Sequence, residues 1–389
     1  MSQSPHRSQP AHPSRQTRAP QPPRSGDDYR VAIIGHTGRG SYGHFLDRAF
    51  EGVAGARVVA VADPDEAGRA KVVQHTGAER GYADYRELLD RERPDITVVA
   101  SREIGDHHRV VLDVAERGSH VYLEKPVAAS PAEADEMVAA CARRHLLLVV
   151  AHPWRGHPPI QRVAIPLIRG GKIGAPRLAR IYGKGGRHGG NELFVDLAPH
   201  FFDFLWQLFG APRWCQAHIT QDGRTSTPAD LRPGAEGMGL VAGNGITAYY
   251  QFGDCAAQFE SYQGDGKETP YRIDLHGTEG TLSLPGPMGN EPDVYYHPLV
   301  NPPLRGDDRW AVVPSDPPPS ADKWVRAHQR MAASMVAMLR GEPPEWDLLE
   351  GVQARLFLQM VLLAHASHVA GARVALPLPD GRNPFDTWS

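Results

Sequence analysis

Five short apolar runs, separated by stretches with helical periodicity, organise the first 151 residues. Arg30–Ile34, Arg57–Ala62, Asp95–Ala100, Ser119–Leu123 and Leu146–Ala151 are too uniformly hydrophobic for half-exposed strands. Such runs fit strands covered on both faces of a parallel sheet. The periodicity between them predicts helices at about Tyr42–Glu51, Glu66–His75, Asp84–Arg91, His107–Arg117 and Pro131–Arg144, with Gly118 placed to end the fourth. Alternation of strand and helix over some 120 residues predicts a doubly wound parallel sheet.

Beyond Ala151 the pattern changes. A helix at Pro158–Arg169 and a strand at Arg177–Lys184 precede a helix at Asp196–Phe209. Six strand-like runs then follow with turn residues between them: Trp214–Thr220, Met238–Ala242, Ile246–Phe252, Ala256–Tyr262, Tyr271–His276 and Gly280–Leu284. Without long intervening helices they predict an open, mostly antiparallel sheet in an α+β domain. Residues 285–320 are proline-rich and read as a long loop, and helices at Lys323–Arg340 and Leu348–Ala370 close the chain. The expected organisation is a disordered tail over 1–28, a nucleotide-binding domain over 29–151, a substrate and oligomerisation domain over 152–375 whose last helix packs back near the first domain, and a C-terminal tail over 376–389.

Composition narrows the functional classes. The formal charge of −3 gives no electrostatic case for nucleic acid or an anionic membrane, and no run reaches the roughly 18 apolar residues of a membrane span. Cys141, Cys215 and Cys255 are scattered, which argues against a disulfide framework or zinc site and for a reducing cytoplasm. No histidine spacing suggests a metal.

Three groups of residues carry candidate chemistry. Gly35-x-x-Gly38-x-Gly40, with Thr37 and Arg39, sits where the first strand turns toward a helix, and small residues there let backbone approach a pyrophosphate. Asp63 ends the second strand, where a carboxylate accepts bonds from ribose hydroxyls and repels a 2′-phosphate, or caps the following helix. This favours NAD, with NADP possible through Arg39. The tripeptide Glu124-Lys125-Pro126 follows the fourth strand of the set, about seventy residues before Asp196-x-x-x-His200. Asp196, His200, Asp203 and Gln207 share one face of a helix, and Pro199 places Asp196 and His200 in its first turn. An ammonium group and an imidazole beside a carboxylate are equipped to take a hydroxyl proton as a carbinol carbon is oxidised.

Gly35–Gly40, Asp63, His107, Glu124-Lys125-Pro126 and Asp196-x-x-x-His200 together resemble the Gfo/Idh/MocA oxidoreductases, over roughly residues 30–375. The resemblance implies a Rossmann domain joined to an open-sheet domain, NAD(P) held between them, and a homodimer or homotetramer formed through the sheet. It implies that Lys125 binds the reacting hydroxyl, His200 is the acid/base and Asp196 assists, with Glu124 near the nicotinamide. Three departures stand out. The glycine loop is offset, Arg102-Glu103 (after Ser101) replaces a neutral turn, and Trp154-Arg155-Gly156-His157-Pro158 replaces the usual Asn-x-Arg segment, with Arg155 matching its arginine. The glycine-rich run Gly183–Asn191, carrying Lys184, Arg187, His188 and Asn191, supplies donors suited to a polyhydroxylated or anionic substrate. Expected substrate contacts are thus Lys125, Trp154, Arg155, Arg187, His188, Asn191, Asp196 and His200. The leading expectation is hydride transfer between nicotinamide and a sugar or cyclitol carbinol. A redox-neutral epimerase, lyase or glycosidase using tightly bound NAD, and a non-catalytic nucleotide-binding regulator, are the alternatives.

Overall fold

The computed structural model describes residues 21–24, 27–264, 271–285, 294–300, 309–316, 318, 320–378 and 381–389. The N-terminal domain holds β1 (Tyr29–Ile34), β2 (Ala56–Ala62), α1 (Glu66–Thr76), β3 (Arg80–Tyr82), α2 (Tyr85–Glu92), β4 (Ile96–Val99), α3 (Ile104–Glu116), β5 (His120–Glu124), α4 (Pro131–Arg143) and β6 (Leu148–Ala151). All six strands run parallel in the order β3-β2-β1-β4-β5-β6. The order reverses between β1 and β4, so the crevice beyond their carboxyl ends is the natural ligand position. The uniform hydrophobicity of the runs has the expected cause, since β4 and β5 are buried at every position.

The predicted helix at Tyr42–Glu51 does not form. Only a single turn of 3₁₀-helix, Leu46–Arg48, follows the glycine loop. Ser41 and Phe45 are left-handed, at φ 49° and 69°, as is Gly43 at 59°, and helical backbone cannot pass through such residues.

The second domain begins with short helical turns at Pro153–Gly156 and Pro159–Ala164 and with α5 (Ile165–Arg169). Then come β7 (Leu178–Tyr182), α6 (Gly190–Phe209), β8 (Trp214–Gln221), β9 (Arg224–Thr225), β10 (Leu231–Pro233), β11 (Leu240–Ala242), β12 (Gly245–Phe252), β13 (Cys255–Tyr262), β14 (Arg272–His276), β15 (Thr281–Pro285), β16 (Tyr295–His297), β17 (Ala311–Val312), α7 (Lys323–Leu339), α8 (Gly351–Ala370) and β18 (Val374–Ala375). A ten-stranded sheet runs β17-β16-β15-β14-β7-β13-β12-β8-β18, with β9 paired to β8; it is antiparallel except for β7 against β13. The described parts of the proline-rich 285–320 segment include β16 and β17, which extend the sheet rather than forming only a loop.

Helix α6 starts six residues before the predicted Asp196, so the reading that Pro199 marks the first turn is corrected. Pro199 lies inside the helix, where it leaves the Val195 carbonyl without its usual amide partner. Asp196 and His200 therefore sit on the second and third turns. Phe194, Phe201, Phe202 and Leu205 on the same helix are buried. Helix α7 covers one face of the parallel sheet with Met331, Met335, Val336 and Leu339. Helix α8 packs between α4, α6 and β8, and the chain just before it bonds to β6 through Val150 N–H and Leu349 O at 2.8 Å. Residues 21–24, expected within the disordered tail, are anchored instead: Gln21 N–H donates to Leu339 O at 2.7 Å and Arg24 N–H to Asp95 at 3.0 Å. Residues 1–20 lie outside the described residues.

Burial makes the fold sensitive to acid. His152, His157, His200, His328 and His365 are each held below the ordinary imidazole value by burial, His157 and His365 to about 3 and His328 to about 4. A ring with a depressed folded pKa takes its proton only on unfolding. Its stabilising contribution is complete above the ordinary value near 6.5 and is lost as pH falls toward the folded value. The urea midpoint should drop steeply between pH 6.5 and 5, on the order of 1 kcal/mol per pH unit for each ring. A flat midpoint across that window would show that these rings are solvated.

Candidate active site

The glycine loop leaves β1 at Ile34 and doubles back on itself, with His36 and Ser41 exchanging backbone hydrogen bonds at 3.1 and 2.9 Å. Gly38, at φ 82°, has nothing within 4 Å of where a Cβ would stand, so its backbone is bare to an approaching group. Gly43 is required for the opposite reason: a Cβ there would lie 2.6 Å from the Glu124 carboxylate and 2.7 Å from Ala100 O. Gly38-x-Gly40-x-x-Gly43 has the spacing of a dinucleotide fingerprint. Counting from Gly35 hides it, and hides His44 directly after it.

A cavity of about 350 Å³ runs along the ends of β1, β2 and β4, lined by Gly35, Arg39, Asp63, Ser101 and His107 among others. Asp63 ends β2 as expected, but its carboxylate is fully buried and accepts from Thr37 N–H, Thr37 Oγ1, Tyr42 OH and Asp65 N–H at 2.7–3.1 Å. It fixes the glycine loop as the structure stands, and a ribose hydroxyl must compete with Thr37 and Tyr42 for it. His107 is buried, with Nδ1 on Pro126 O at 3.0 Å and Nε2 on Ser101 O at 2.7 Å, so it braces the turns after β4 and β5. Ser101 Oγ donates to Arg39 O at 2.9 Å. Arg39 pairs with Asp106 at 3.2 Å, and Arg102 pairs with Glu236 of the second domain at 3.0 Å.

The bare glycine backbone at a β–loop turn beside a sheet-end cavity fits a dinucleotide. Gly38 and Gly40 would bring backbone to its pyrophosphate, while Gly43, its N–H bonded to Gly40 O at 3.3 Å, closes the loop against Glu124. His36 and Ser101 line the same cavity.

A second cavity of about 400 Å³ opens between the domains, and Lys125, Asp196 and His200 all line it. Lys125 stands just beyond β5 and Asp196 on α6, 71 residues apart in sequence, and their side chains form an ion pair. Lys125 is 5% exposed while the Asp196 side chain is 38% open, so the pair faces the cleft from its carboxylate side. Burial works against the Lys125 ammonium, but Asp196 and Glu124 outweigh it and raise its pKa. Burial also raises the Asp196 carboxyl, which Lys125 more than offsets, holding it at about 2. Burial and then Lys125 keep the His200 ring well below its ordinary value, hence neutral. The His200 ring lies 4.8 Å from that of His152 and 6.1 Å from that of Trp154, and its Nδ1 has no hydrogen-bond partner among the described residues.

Histidine 44 completes this wall. It lines the same cleft, and its Nδ1–H donates to Glu124 Oε1 at 2.6 Å. Burial raises the Glu124 carboxyl, but His44 reverses this and holds it below its ordinary value. Glu124 thus orients an imidazole rather than facing the cavity itself.

The remaining expected substrate residues divide. Trp154 is buried against His200 and Phe201. Arg155, matched by resemblance to a substrate arginine, is turned into the core, where its Nε and Nη2 bond Asp203 at 2.6–2.9 Å. Asn191 is buried and accepts from His365 Nε2 at 3.2 Å. Arg187 is exposed, and His188 has no described side chain. Sequence reasoning missed His44, Phe45, Tyr271, Lys323 and Trp324, all of which line the cleft. Only His44 left a signal, its position after the glycine fingerprint. Among the described residues no group of three or more His, Cys, Asp or Glu side chains is placed to hold a metal, and no helix is long and apolar enough to cross a membrane.

Residues 29–152 match an oxidoreductase family with an NAD-binding Rossmann fold, Gfo/Idh/MocA, and residues 179–366 match that family's C-terminal α/β domain. A D-apiose dehydrogenase of Paraburkholderia graminis is 29% identical over 266 residues, 66% of this chain and 67% of that protein. An NAD⁺-dependent scyllo-inositol 2-dehydrogenase of Bacillus subtilis is 27% identical over 278 residues, 66% and 73% of the two chains. Several other curated relatives are matched over only 35–54% of their own length. The crystal structure of an NAD-binding oxidoreductase from Klebsiella pneumoniae superposes with a TM-score of 0.69 at 20% identity, covering 90% of this chain and 100% of that one.

Proposed function

The chain belongs to the Gfo/Idh/MocA family of NAD-binding oxidoreductases, and we propose that it oxidises a secondary carbinol of a sugar, cyclitol or sugar-derived substrate, using Lys125, Asp196 and His200 to handle the hydroxyl proton. The observation that carries this reading is the Lys125–Asp196 ion pair on the wall of a cleft that His200 also lines. The relatives named for D-apiose and scyllo-inositol support the substrate class.

When bound, NAD supplies the hydride acceptor, and the protein side chains do the rest. The Lys125 ammonium donates to the reacting hydroxyl and stabilises the developing alkoxide. Asp196, ionised and part-open to the cleft, keeps that ammonium charged and aimed. His200 is neutral and lines the cleft, so its ring is in the protonation state required to receive a proton there. His44, fixed through Nδ1 by Glu124, orders the Rossmann-side wall.

The test is direct. Purified protein with NAD should produce NADH, read at 340 nm, from at least one member of a panel of pentoses, hexoses, inositols and sugar acids. The same panel with NADP should be turned over less well. Protein that binds NAD yet forms no NADH from any member would refute the reading.

A further inference from the structure

We propose that His44, backed by Glu124, is a second catalytic imidazole, which receives the carbinol proton from His200 and passes it to solvent. The proposal rests on the dehydrogenase reading above and adds to it the residue on which that proton comes to rest.

The argument begins with where the cleft can hold a positive charge. Oxidation breaks the carbinol C–H bond, whose electron pair goes to the bound NAD, and the O–H bond, whose pair closes the carbonyl. One proton is left over in each turnover. Lys125 does not accept it: burial works against the ammonium, but Asp196 and Glu124 outweigh burial and keep it charged. Asp196 is a poor acceptor as well, since Lys125 more than offsets burial and holds its carboxyl at about 2. His200 is neutral and able to take the proton, but burial and then Lys125 oppose the charge it would carry. At 7% exposure that ring gives the charge little water. A proton on His200 is therefore held briefly and moves to a better-served base in the same cleft.

His44 is that base. It lines the cleft from the nucleotide domain, and its side chain is 42% exposed, so a proton on it can reach solvent. Its Nδ1 lies 2.6 Å from Glu124 Oε1. Burial raises the Glu124 carboxyl, but His44 and Lys125 hold it below its ordinary value. An ionised carboxylate only accepts, so Nδ1 carries the hydrogen and the lone pair of the neutral ring is on Nε2. Once Nε2 gains the proton, the imidazolium rests against a carboxylate whose side chain is only 1% exposed. A carboxylate behind an imidazole fixes its tautomer and stabilises its charged form. The other charges near His44 do not cancel this. Asp196 is paired with Lys125 and Glu236 with Arg102, and burial keeps the His328 ring neutral, at about 4. The loop is shaped for the contact. Gly43 is left-handed at φ 59°, and a Cβ there would stand 2.6 Å from Glu124 Oε2, so glycine is what lets the chain bring His44 onto that carboxylate.

The experiment uses the full-length enzyme with saturating NAD and a panel member that forms NADH. His44→Ala should lower kcat about 10²-fold, with the Kd for NADH, read by fluorescence titration, within about twofold of wild type. Added imidazole should raise the turnover of His44→Ala by about tenfold and leave that of Lys125→Met unchanged, because it replaces a lost proton acceptor and nothing else. Glu124→Gln still accepts from Nδ1–H but lacks the counter-charge, and should lower kcat about tenfold. A kcat for His44→Ala within about threefold of wild type would overturn the proposal and leave the dehydrogenase reading standing. A loss that imidazole does not restore, or that NADH affinity shares in equal measure, would overturn it too and assign His44 to structure or cofactor. If no panel member yields NADH, carbethoxylation of His44 by diethyl pyrocarbonate, located by peptide mass, decides separately. A rate severalfold slower in Glu124→Gln supports a base built at His44 even as the dehydrogenase reading fails, and equal rates overturn it.

Discussion

Lys125→Met is expected to lower kcat by roughly 10³-fold while NAD binds as tightly as before. Methionine keeps most of the apolar stem of lysine and removes the ammonium with its charge and donors, so the cleft wall stays largely filled. Two effects compete in such a variant: loss of the donor to the reacting oxygen, and loss of the counter-ion for Asp196. The second is the smaller here. The Asp196 side chain is 38% open to the cleft, so water replaces part of what the ammonium gave, although burial, no longer offset by Lys125, then raises its carboxyl pKa from about 2. The variant should therefore fold, with a thermal midpoint within a few degrees of the wild type. Turnover within tenfold of wild type, measured at saturating substrate with equal NAD occupancy, would remove Lys125 from the chemistry.

The convergence of Lys125, Asp196 and His200 was legible in the sequence because two strong local patterns bracketed it. A strand ending at Glu124 fixes where Lys125 emerges, and an amphipathic helix fixes Asp196 and His200 on one face, wherever that helix begins. The parallel sheet was legible for a related reason, since runs such as Ile96–Val99 have no polar position to send to solvent. What failed was conformational detail that one or two residues control. The left-handed Ser41, Gly43 and Phe45 end a helix that propensity favours, and no local pattern announces a left-handed Phe. Pro199 reads as a helix start because an interior proline leaves a carbonyl unbonded, yet the buried aromatic packing of α6 outweighs that loss. Orientation was the other gap. Asn191 lies on a glycine-rich segment that reads as a surface of donors, but it is buried with its amide oxygen on His365. Asp63 sits where a ribose contact was expected, with its oxygens taken by the loop it follows.

The same blindness to orientation makes Arg155 the sharpest discriminating position after Lys125. Resemblance places it at the substrate; packing places it opposite Asp203, with Arg155 3% and Asp203 0% exposed. Its Nε reaches both carboxylate oxygens at 2.9 Å, Nη2 adds a bond of 2.6 Å, and the guanidinium lies 5.8 Å from the Trp206 ring centroid. Burial pushes the Asp203 carboxyl up, with the Arg155 fork opposing it. An ion pair this deep contributes little net stability over an apolar pair, because desolvation consumes most of the attraction, but removing one partner strands the other. Asp203→Ala and Arg155→Met should each destabilise the fold by about 3–5 kcal/mol, read as a lowered urea midpoint, and the double variant Arg155→Met/Asp203→Leu should recover much of the loss. Activity of whatever fraction remains folded should keep its KM for the sugar. The opposite pattern, with the urea midpoint unmoved in Arg155→Met and KM raised tenfold or more, would return Arg155 to the substrate and require the cleft to open further than this structure shows.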